Sequence, residues 1–134
     1  MKRFALAASV VAALGLCSVA LAASTLSGTY KTKIHTTALG GAVNGTWTIK
    51  FKSGRYTAAQ NSKVVVKGKN KITGSKITFK DTSGKDSCLG TGTTGTYKFK
   101  LKGNKLKFTK ISDSNPSCQG RVVVLTSGTF TKVG

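Results

Sequence analysis

Acidic residues and histidine are scarce in this chain of 134 residues. Glutamate is absent, and only Asp81, Asp86 and Asp113 supply negatively charged side chains. The single histidine, His35, and the lack of two cysteine pairs leave too few ligands for a zinc site. We therefore expect neither a metal nor a cofactor.

Proline and helical patterning are also scarce, which narrows the fold class. The one proline, Pro116, lies in a segment that the sequence predicts to be a loop. No window combines apolar residues at helical spacing with capping residues at its ends. The sequence therefore predicts an all-β fold.

Only the amino terminus carries a long apolar run. Lys2 and Arg3 precede an uncharged stretch over residues 4–19, and Ala20-Leu21-Ala22 fits the small-x-small rule for signal-peptide cleavage. A membrane anchor is the alternative, but the run is short for a span and no stop-transfer pattern follows it. We expect residues 1–22 to be a signal peptide and residues 23–134 to form one secreted domain, extracellular or within a bacterial envelope or periplasm.

Two cysteines, Cys88 and Cys118, remain after the predicted cleavage, because Cys17 lies within the signal peptide. In an oxidising compartment two cysteines of a small domain are expected to form a disulfide. The closed loop of about 30 residues then contributes roughly 3.5 kcal/mol in the chain-entropy model.

Basic residues outnumber acidic ones so strongly that the net charge is +19. Loss of Lys2 and Arg3 with the signal peptide lowers it to +17, and eighteen of the twenty remaining cations are lysines. In runs such as 98–102 the lysines alternate with apolar residues, which places them on the solvated face of a sheet. A solvating coat that discourages edge pairing accounts for this pattern. Adhesion to anionic polymers is the functional alternative, without specific nucleic-acid binding, because the aromatic residues face away from the lysines.

A Gly-Thr-aromatic tripeptide occurs four times, each at one end of a run in which every second residue is apolar. Two-residue turns such as Ser53-Gly54 and Gly103-Asn104 separate several of these runs, as in antiparallel hairpins. Eight strands are predicted, over residues 26–36, 45–52, 55–60, 63–73, 76–81, 95–102, 105–111 and 121–133, the last interrupted at 127–128.

Loop lengths favour an eight-stranded antiparallel up-and-down barrel over a β-sandwich. Tight turns follow strands two, four and six, whereas longer connections follow strands one, three (the shortest of these), five and seven. A meander then gathers the tight turns at one end and the longer loops at the other. A Greek-key sandwich requires a long crossover, and none is evident. Loops at 39–44, 82–94 and 112–120 should surround an open mouth.

One face of the predicted strands supplies the interior. Its residues are Tyr30, Ile34, Trp47, Ile49, Phe51, Tyr56, Val64, Val66, Ile77, Phe79, Tyr97, Phe99, Leu101, Leu106 and Phe108. These side chains either fill a barrel of this size or, near the mouth, line a pocket for an apolar guest. Trp47, Tyr56 and Tyr97 are the best candidates, because buried tryptophan and tyrosine need polar partners that a ligand can supply. Phe99 and Arg121 complete the predicted ligand-binding set.

The meander also gathers polar side chains at the mouth. These are His35, Asp81, Asp86, Asp113 and Arg121. No motif sets a nucleophile against a base, and a few aspartates among many lysines more naturally form loop caps and ion pairs. We therefore expect no enzyme, and a pairing of Arg121 with Asp113 or Asp86. Stacking of the same guanidinium on Trp47 or Tyr97 is the alternative.

Several short motifs carry a resemblance to a known family. They are Gly45-Thr46-Trp47, Cys88, Gly95-Thr96-Tyr97, Asp113 and Cys118-Gln119-Gly120-Arg121. With them the chain resembles the lipocalin-like (calycin) group of small secreted barrels, and in particular a bacterial lipocalin-like family. The resemblance implies an eight-stranded barrel that carries a small apolar ligand.

The chain departs from that family in two ways. Lipocalins pack a first-strand tryptophan against an arginine of the last strand at the closed end. Here Tyr30 replaces the tryptophan, and Arg121 falls at the open end. The chain is also shorter than typical lipocalins, which implies a smaller interior.

The sequence thus predicts a secreted lipocalin-like binding protein for a small apolar ligand at the open end of the barrel. The alternative is a cationic cell-envelope protein whose lysine-coated exterior adheres to wall polymer, lipid headgroups or nucleic acid. An interior cavity of a few hundred cubic ångströms or more favours the first function, whereas a filled interior excludes it.

Overall fold

A computed structural model describes residues 26–134, which form a closed antiparallel barrel of eight strands. The elements are β1 (Gly28–Ile34), β2 (Gly45–Lys52), β3 (Arg55–Gln60), β4 (Lys63–Thr73), β5 (Lys76–Ser83), β6 (Gly95–Lys102), β7 (Lys105–Ser112), α1 (Gln119–Thr126) and β8 (Phe130–Lys132). Each strand pairs with its neighbours in sequence, and β8 closes the barrel by pairing with both β7 and β1. The predicted up-and-down barrel is confirmed, while the predicted signal peptide lies outside the described residues.

Alternation along the strands separates the core from the solvent. In β2, Trp47, Ile49 and Phe51 are buried, whereas Lys50 and Lys52 are exposed. A strand directs successive side chains to opposite faces, so one face of each strand enters the barrel and the other meets water. All eighteen lysines of the described chain are exposed, as the alternation predicts.

Two-residue turns define one end of the barrel, which we call the turn end. Ser53-Gly54, Gly74-Ser75 and Gly103-Asn104 join β2 to β3, β4 to β5 and β6 to β7. Ser53 and Gly54 both have positive φ angles, as in the type I′ hairpin turns whose twist matches that of the flanking strands. The opposite end, which we call the loop end, carries the connections after β1, β3, β5 and β7. The longer connection expected after β3 is wrong, because Asn61-Ser62 joins β3 to β4 as another two-residue turn with positive φ angles.

Aromatic rings fill the middle of the barrel and its turn end. The ring of Phe79 lies 5.1 Å from Tyr56, 5.7 Å from Tyr97 and 5.8 Å from Phe108, between ring centroids. These contacts are edge-to-face, the arrangement that aromatic quadrupoles favour. Two further edge-to-face pairs, Tyr30–Phe51 and Phe108–Phe130, extend the cluster.

Two residues predicted to face inward are instead exposed. The register of β3 against β4 shifts between Ala58 and Ala59, which places an extra residue in β4. As a result Val65 and Val66 are both buried, and Val64 is 53 % exposed. Leu101, 43 % exposed, lies next to the hairpin at the margin of the turn end. A second register shift, between β4 and β5, lies at Lys67 and Gly68.

The prediction of an eighth strand over residues 121–133 is wrong for most of that segment. Residues 119–126 form α1, and only Phe130–Lys132 pair as a strand. A helical start signal precedes it: Pro116 opens a short 3-10 turn, and the Asn115 side chain accepts a hydrogen bond from the backbone of Ser117 at 3.0 Å. The valine-rich segment that follows favours a strand by propensity, but its packing over the loop end makes it helical.

Candidate functional site: a cavity at the loop end

A cavity of about 380 Å³ lies between the barrel wall and α1. Six residues of the segment that includes α1 line it: Ser117, Cys118, Gly120, Arg121, Val124 and Leu125. Leu39, Lys85 and Asp86 also line it and, like Ser117, are exposed, so the cavity opens to solvent among the loops. The interior is therefore not filled by its own side chains.

Apolar side chains make up most of the cavity wall. They are Leu39, Ala42, Val43, Trp47, Ile49, Ala58, Val66, Phe79, Val124 and Leu125. Polar groups enter from a few places, chiefly Gln60, Tyr56, Asp81 and Arg121, with Lys85 and Asp86 among the loops. An apolar wall with few polar groups is the usual composition of a small-molecule site.

The predicted ligand-binding residues divide between the cavity and the core. Trp47, Tyr56 and Arg121 line the cavity. Tyr97 and Phe99 are buried in the barrel interior and are not among the residues that line it.

Protein groups already satisfy the polar atoms of the buried aromatic residues. Trp47 Nε1 donates to the carbonyl oxygen of Val43 at 2.8 Å. The Tyr56 hydroxyl donates to Asp81, and the Tyr97 hydroxyl donates to Asp113. The protein itself therefore supplies the polar partners that these three side chains need.

Arg121 joins the two buried aspartates. Its Nε donates to Asp113 Oδ2 at 2.8 Å and its Nη2 to Asp113 Oδ1 at 2.9 Å, a two-point pairing. Nη1 donates to Asp81 Oδ1 at 3.3 Å, and Nη2 also reaches the carbonyl oxygen of Thr93 at 2.7 Å. Only 8 % of the Arg121 side chain is exposed. The predicted pair with Asp113 is confirmed.

The other predicted partner of Arg121 lies elsewhere. Asp86 is on the surface, where Lys85 Nζ lies 3.7 Å from its carboxylate. Asp81 takes its place in the buried network and accepts a further hydrogen bond from the backbone nitrogen of Cys88 at 2.8 Å. His35 is exposed.

Burial and neighbouring charge shift the ionisation of this network. Burial raises the pKa of Tyr56 well above its usual range, and the hydrogen bond to Asp81 and the charge of Asp81 raise it further. Burial and Asp113 act in the same way on the pKa of Tyr97. Burial lowers the pKa of Arg121, but the hydrogen bonds and charge of Asp113, with Asp81, outweigh it and raise that pKa. The tyrosines thus stay neutral donors and the guanidinium stays charged.

Two glycines make room for the network. Gly68 lies directly between Tyr56 and Asp81 in the strand register, and a Cβ there would overlap the Tyr56 ring. A Cβ at Gly95 would overlap the Asp113 carboxylate and approach Arg121 Nη2 to 2.9 Å. The absent side chains therefore let the polar groups cross the inner surface of the barrel.

The predicted disulfide is confirmed and ties the network to the loops. Cys88 and Cys118 are bonded, with their Cα atoms 5.1 Å apart. Cys88 also donates to Asp81, and Cys118 lies directly before α1, which carries Arg121. The bond therefore joins the β5–β6 loop to the start of the helix beside the cavity.

The hydrogen bonds of the network fit a structural role, because its members bond to one another. Tyr56, Tyr97, Asp81, Asp113 and Arg121 are each hydrogen-bonded to another member of the network, and the ionised cluster of Arg121 with the two aspartates has a formal charge of −1. Within residues 26–134, no three metal-binding side chains come together. No helix in that same part of the chain is both long and apolar enough to span a membrane.

Comparisons of the chain with protein-family models, curated proteins and solved structures find no match. The likeness to lipocalin-like barrels therefore stays a prediction from the sequence motifs.

Sequence reasoning missed two parts of the site. It placed Asp81 at the mouth but not in the ion-pair network, because strand tilt and the bulge at Gly68 decide which side chains meet. It also missed α1, although Asn115-Pro116 is a helix-start signal and residues 118, 121 and 125 repeat at helical spacing.

Proposed function

We propose that this protein is a secreted lipocalin-like binding protein that holds a small, largely apolar ligand in the cavity at the loop end. The cavity of about 380 Å³, with its mainly apolar wall and open rim, carries the proposal. Ligand pockets typically span about 300–1,000 Å³. The cavity thus has room for a compact ligand.

Binding is a better account of the site than catalysis. A general base or nucleophile needs a side chain that can reach a substrate and exchange a proton with it. Here Asp81 and Asp113 each accept hydrogen bonds from a tyrosine and from Arg121, so their lone pairs are committed inside the protein. The same network can fix one wall of the cavity in place for a guest.

The secreted, lipocalin-like assignment has its own support. The signal-peptide pattern of residues 1–22 and a disulfide between Cys88 and Cys118 agree with an oxidising compartment. The closed eight-stranded meander with a cavity at the end bearing the longer loops agrees with a ligand-carrying barrel. Arg121 at that end departs from the lipocalin pattern, because its partners are aspartates.

Fluorescence of Trp47, the only tryptophan, provides a direct test. The neutral apolar probe N-phenylnaphthylamine should bind saturably, quench Trp47 emission and be insensitive to salt, because the cavity wall near Trp47 is apolar. Ala58→Phe, which fills the cavity, should weaken binding by at least about tenfold, a loss of 1.4 kcal/mol or more.

Ala59→Phe is the matched control. Ala59 is the next residue of β3, faces the outside of the barrel and does not line the cavity. Its variant should bind the probe as the unchanged protein does. Equal loss in both variants, or binding abolished by salt in the unchanged protein, would contradict the proposal.

Adhesion through the lysine-coated exterior is a second candidate function, and the strand register favours it. Cations face each other directly across neighbouring strands at Lys52–Arg55, Arg55–Lys69, Lys69–Lys80, Lys76–Lys98, Lys100–Lys107 and Lys102–Lys105. Like charges in opposed positions destabilise a sheet by a few tenths of a kcal/mol, up to about 1 kcal/mol each. An anionic partner would relieve this repulsion.

A further inference from the structure

The large aliphatic side chains that remain exposed concentrate at the loop end of the barrel. Leu39 is 48 % exposed, Val64 53 %, Leu89 55 % and Ile111 47 %. Leu39 and Leu89 lie in the loops after β1 and β5, Val64 begins β4, and Ile111 ends β7. The up-and-down topology brings all four to the same end. We call these residues the mouth aliphatics.

Leu39 is held in an unusual backbone conformation at the mouth. Its φ angle is 53°, in the left-handed region that bulky residues rarely adopt. It lines the cavity and remains about half exposed. The loop thus presents an apolar side chain to solvent at a conformational cost, and observed strain of this kind often marks a functional site.

Cations accompany the mouth aliphatics. Lys63 directly precedes Val64, Lys110 directly precedes Ile111, and Lys85 lies on the cavity rim. Asp86 is the one exposed carboxylate side chain of the described chain, and Lys85 pairs with it. Apolar side chains flanked by lysines are the composition of surfaces that enter an anionic membrane interface, where lysines stay at the headgroups.

We infer that the loop end docks on the surface of an anionic lipid bilayer. The mouth aliphatics enter the headgroup region while the surrounding lysines contact anionic headgroups. In this orientation the cavity opens toward the bilayer, and an apolar ligand passes between lipid and cavity without crossing water. The route of the ligand rests on the proposed function, whereas the docking does not.

Vesicle flotation of the chain from Ala23 onward, which contains every described residue, tests the docking. The probes are phosphatidylcholine vesicles with and without phosphatidylglycerol. Leu89→Ser with Ile111→Ser removes two mouth aliphatics that do not line the cavity. Leu101→Ser with Val133→Ser removes two side chains of similar exposure, 43 % and 57 %, at the turn end.

The mouth variant should bind anionic vesicles at least about tenfold more weakly than the unchanged protein, since burying each side chain contributes to partitioning. The turn-end variant should stay within about twofold of the unchanged protein, because its residues lie at the opposite end. Vesicles without phosphatidylglycerol should bind at least about tenfold more weakly, because the lysines then lack anionic partners.

Three results would overturn the inference. The first is equal binding of the mouth and turn-end variants to anionic vesicles, and the second is equal binding of the unchanged protein to both vesicle types. The third is that the protein is retained on heparin while the mouth substitutions leave its binding to vesicles unaffected. The last result assigns the lysine coat to anionic polymers in general. Ala58→Phe separates the two proposals: it should lose N-phenylnaphthylamine and still bind vesicles. Loss of vesicle binding in the mouth variant alone, with probe binding intact, supports docking even if the cavity proves to have another role.

Discussion

The two ends of this barrel differ in the packing and the polarity of their interiors. Toward the turn end the interior consists of tightly packed apolar side chains such as Phe51, Leu106 and Phe130, each at most 2 % exposed. Toward the loop end it contains a cavity of about 380 Å³ beside the charged groups of Arg121, Asp81 and Asp113. The turn end therefore gains stability from apolar burial. The loop end is less densely packed and contains buried charged groups, whose desolvation is unfavourable.

The long connections after β5 and β7 explain why the ends differ. Two-residue hairpins let the strands at the turn end finish close together, so that their own side chains close the interior. At the loop end, long segments after β5 and β7 must be held over the opening, and the disulfide between Cys88 and Cys118 and the pairing of Arg121 with Asp81 and Asp113 do so. Binding sites commonly occupy loops held on a rigid scaffold, and this arrangement agrees with the function that we propose for the cavity.

Removing the central cation should break the loop end most severely. Arg121→Met leaves Asp81 and Asp113, which are 5 % and 2 % exposed, without their cation. Uncompensated buried charge costs about 3–5 kcal/mol, so the free energy of unfolding should fall by that amount. Urea denaturation followed by Trp47 emission measures it.

The only other arginine of the described chain provides the control. Arg55 is exposed on β3 opposite Lys52 and Lys69, so Arg55→Met removes like-charge repulsion and should change stability by less than about 0.5 kcal/mol. Adding Asp81→Asn and Asp113→Asn to Arg121→Met should recover part of the loss, because no unpaired charge then remains. Similar losses for both arginine variants would show that the buried network is not what holds the loop end.

Filling the space that one glycine leaves should have a smaller effect. A Cβ in Gly95→Ala would overlap the Asp113 carboxylate, and overpacking of this kind costs about 1–3 kcal/mol. Gly120→Ala, in α1, meets no atom within 4 Å and should instead stabilise by about 0.5–1 kcal/mol, as alanine does in helices. Thermal unfolding of both variants compares them, and a neutral Gly95→Ala would mean that the network can shift aside.

Sequence patterns predicted the barrel well because its strands obey a simple rule. Every second residue of β2 and β6 is apolar or aromatic, and glycine-containing turns join the strands of each hairpin. Both patterns can be recognised without knowing the tertiary structure. The same rule failed at β4, where the bulge opposite Ala58 and Ala59 moved Val64 outward and Val65 inward. A bulge is set by the pairing of two strands, which a single strand's pattern does not contain.

The candidate site was harder to predict, since it depends on contacts between distant elements. The disulfide and the pair of Arg121 with Asp113 could be predicted, because the chain contains few cysteines and few acidic residues that could serve as partners. The helix α1 did not, because its valine-rich sequence has strand propensity and is helical only where it packs over the cavity. The cavity volume depends on how that helix lies and has no signature in the sequence.

The smallest expected effect compares a tyrosine in the apolar core, Tyr30, with Tyr56, whose hydroxyl is bonded to the buried network at the loop end. Burial alone raises the pKa of Tyr30, which packs against Phe51, whereas burial and Asp81 together raise the pKa of Tyr56 far more. A folded-state pKa above the unfolded value favours folding fully below about pH 10 and loses that contribution as the pH rises. Above about pH 10, stability should therefore fall by up to about 1.4 kcal/mol per pH unit for each tyrosine that stays protonated in the folded state.

Substitution by phenylalanine isolates each tyrosine's share of this pH dependence. Tyr56→Phe should make the loss of unfolding free energy between pH 10 and 11 smaller by about 1 kcal/mol, because the unfolded chain then has one tyrosine fewer to ionise. Tyr30→Phe should change that loss less, since Tyr30 has no aspartate beside its hydroxyl and ionises earlier in the folded protein. Urea denaturation of the three proteins at both pH values gives the difference. Equal effects of the two substitutions would mean that the aspartates at the loop end do not restrain tyrosine ionisation, and the contrast between the two ends would then be one of packing alone.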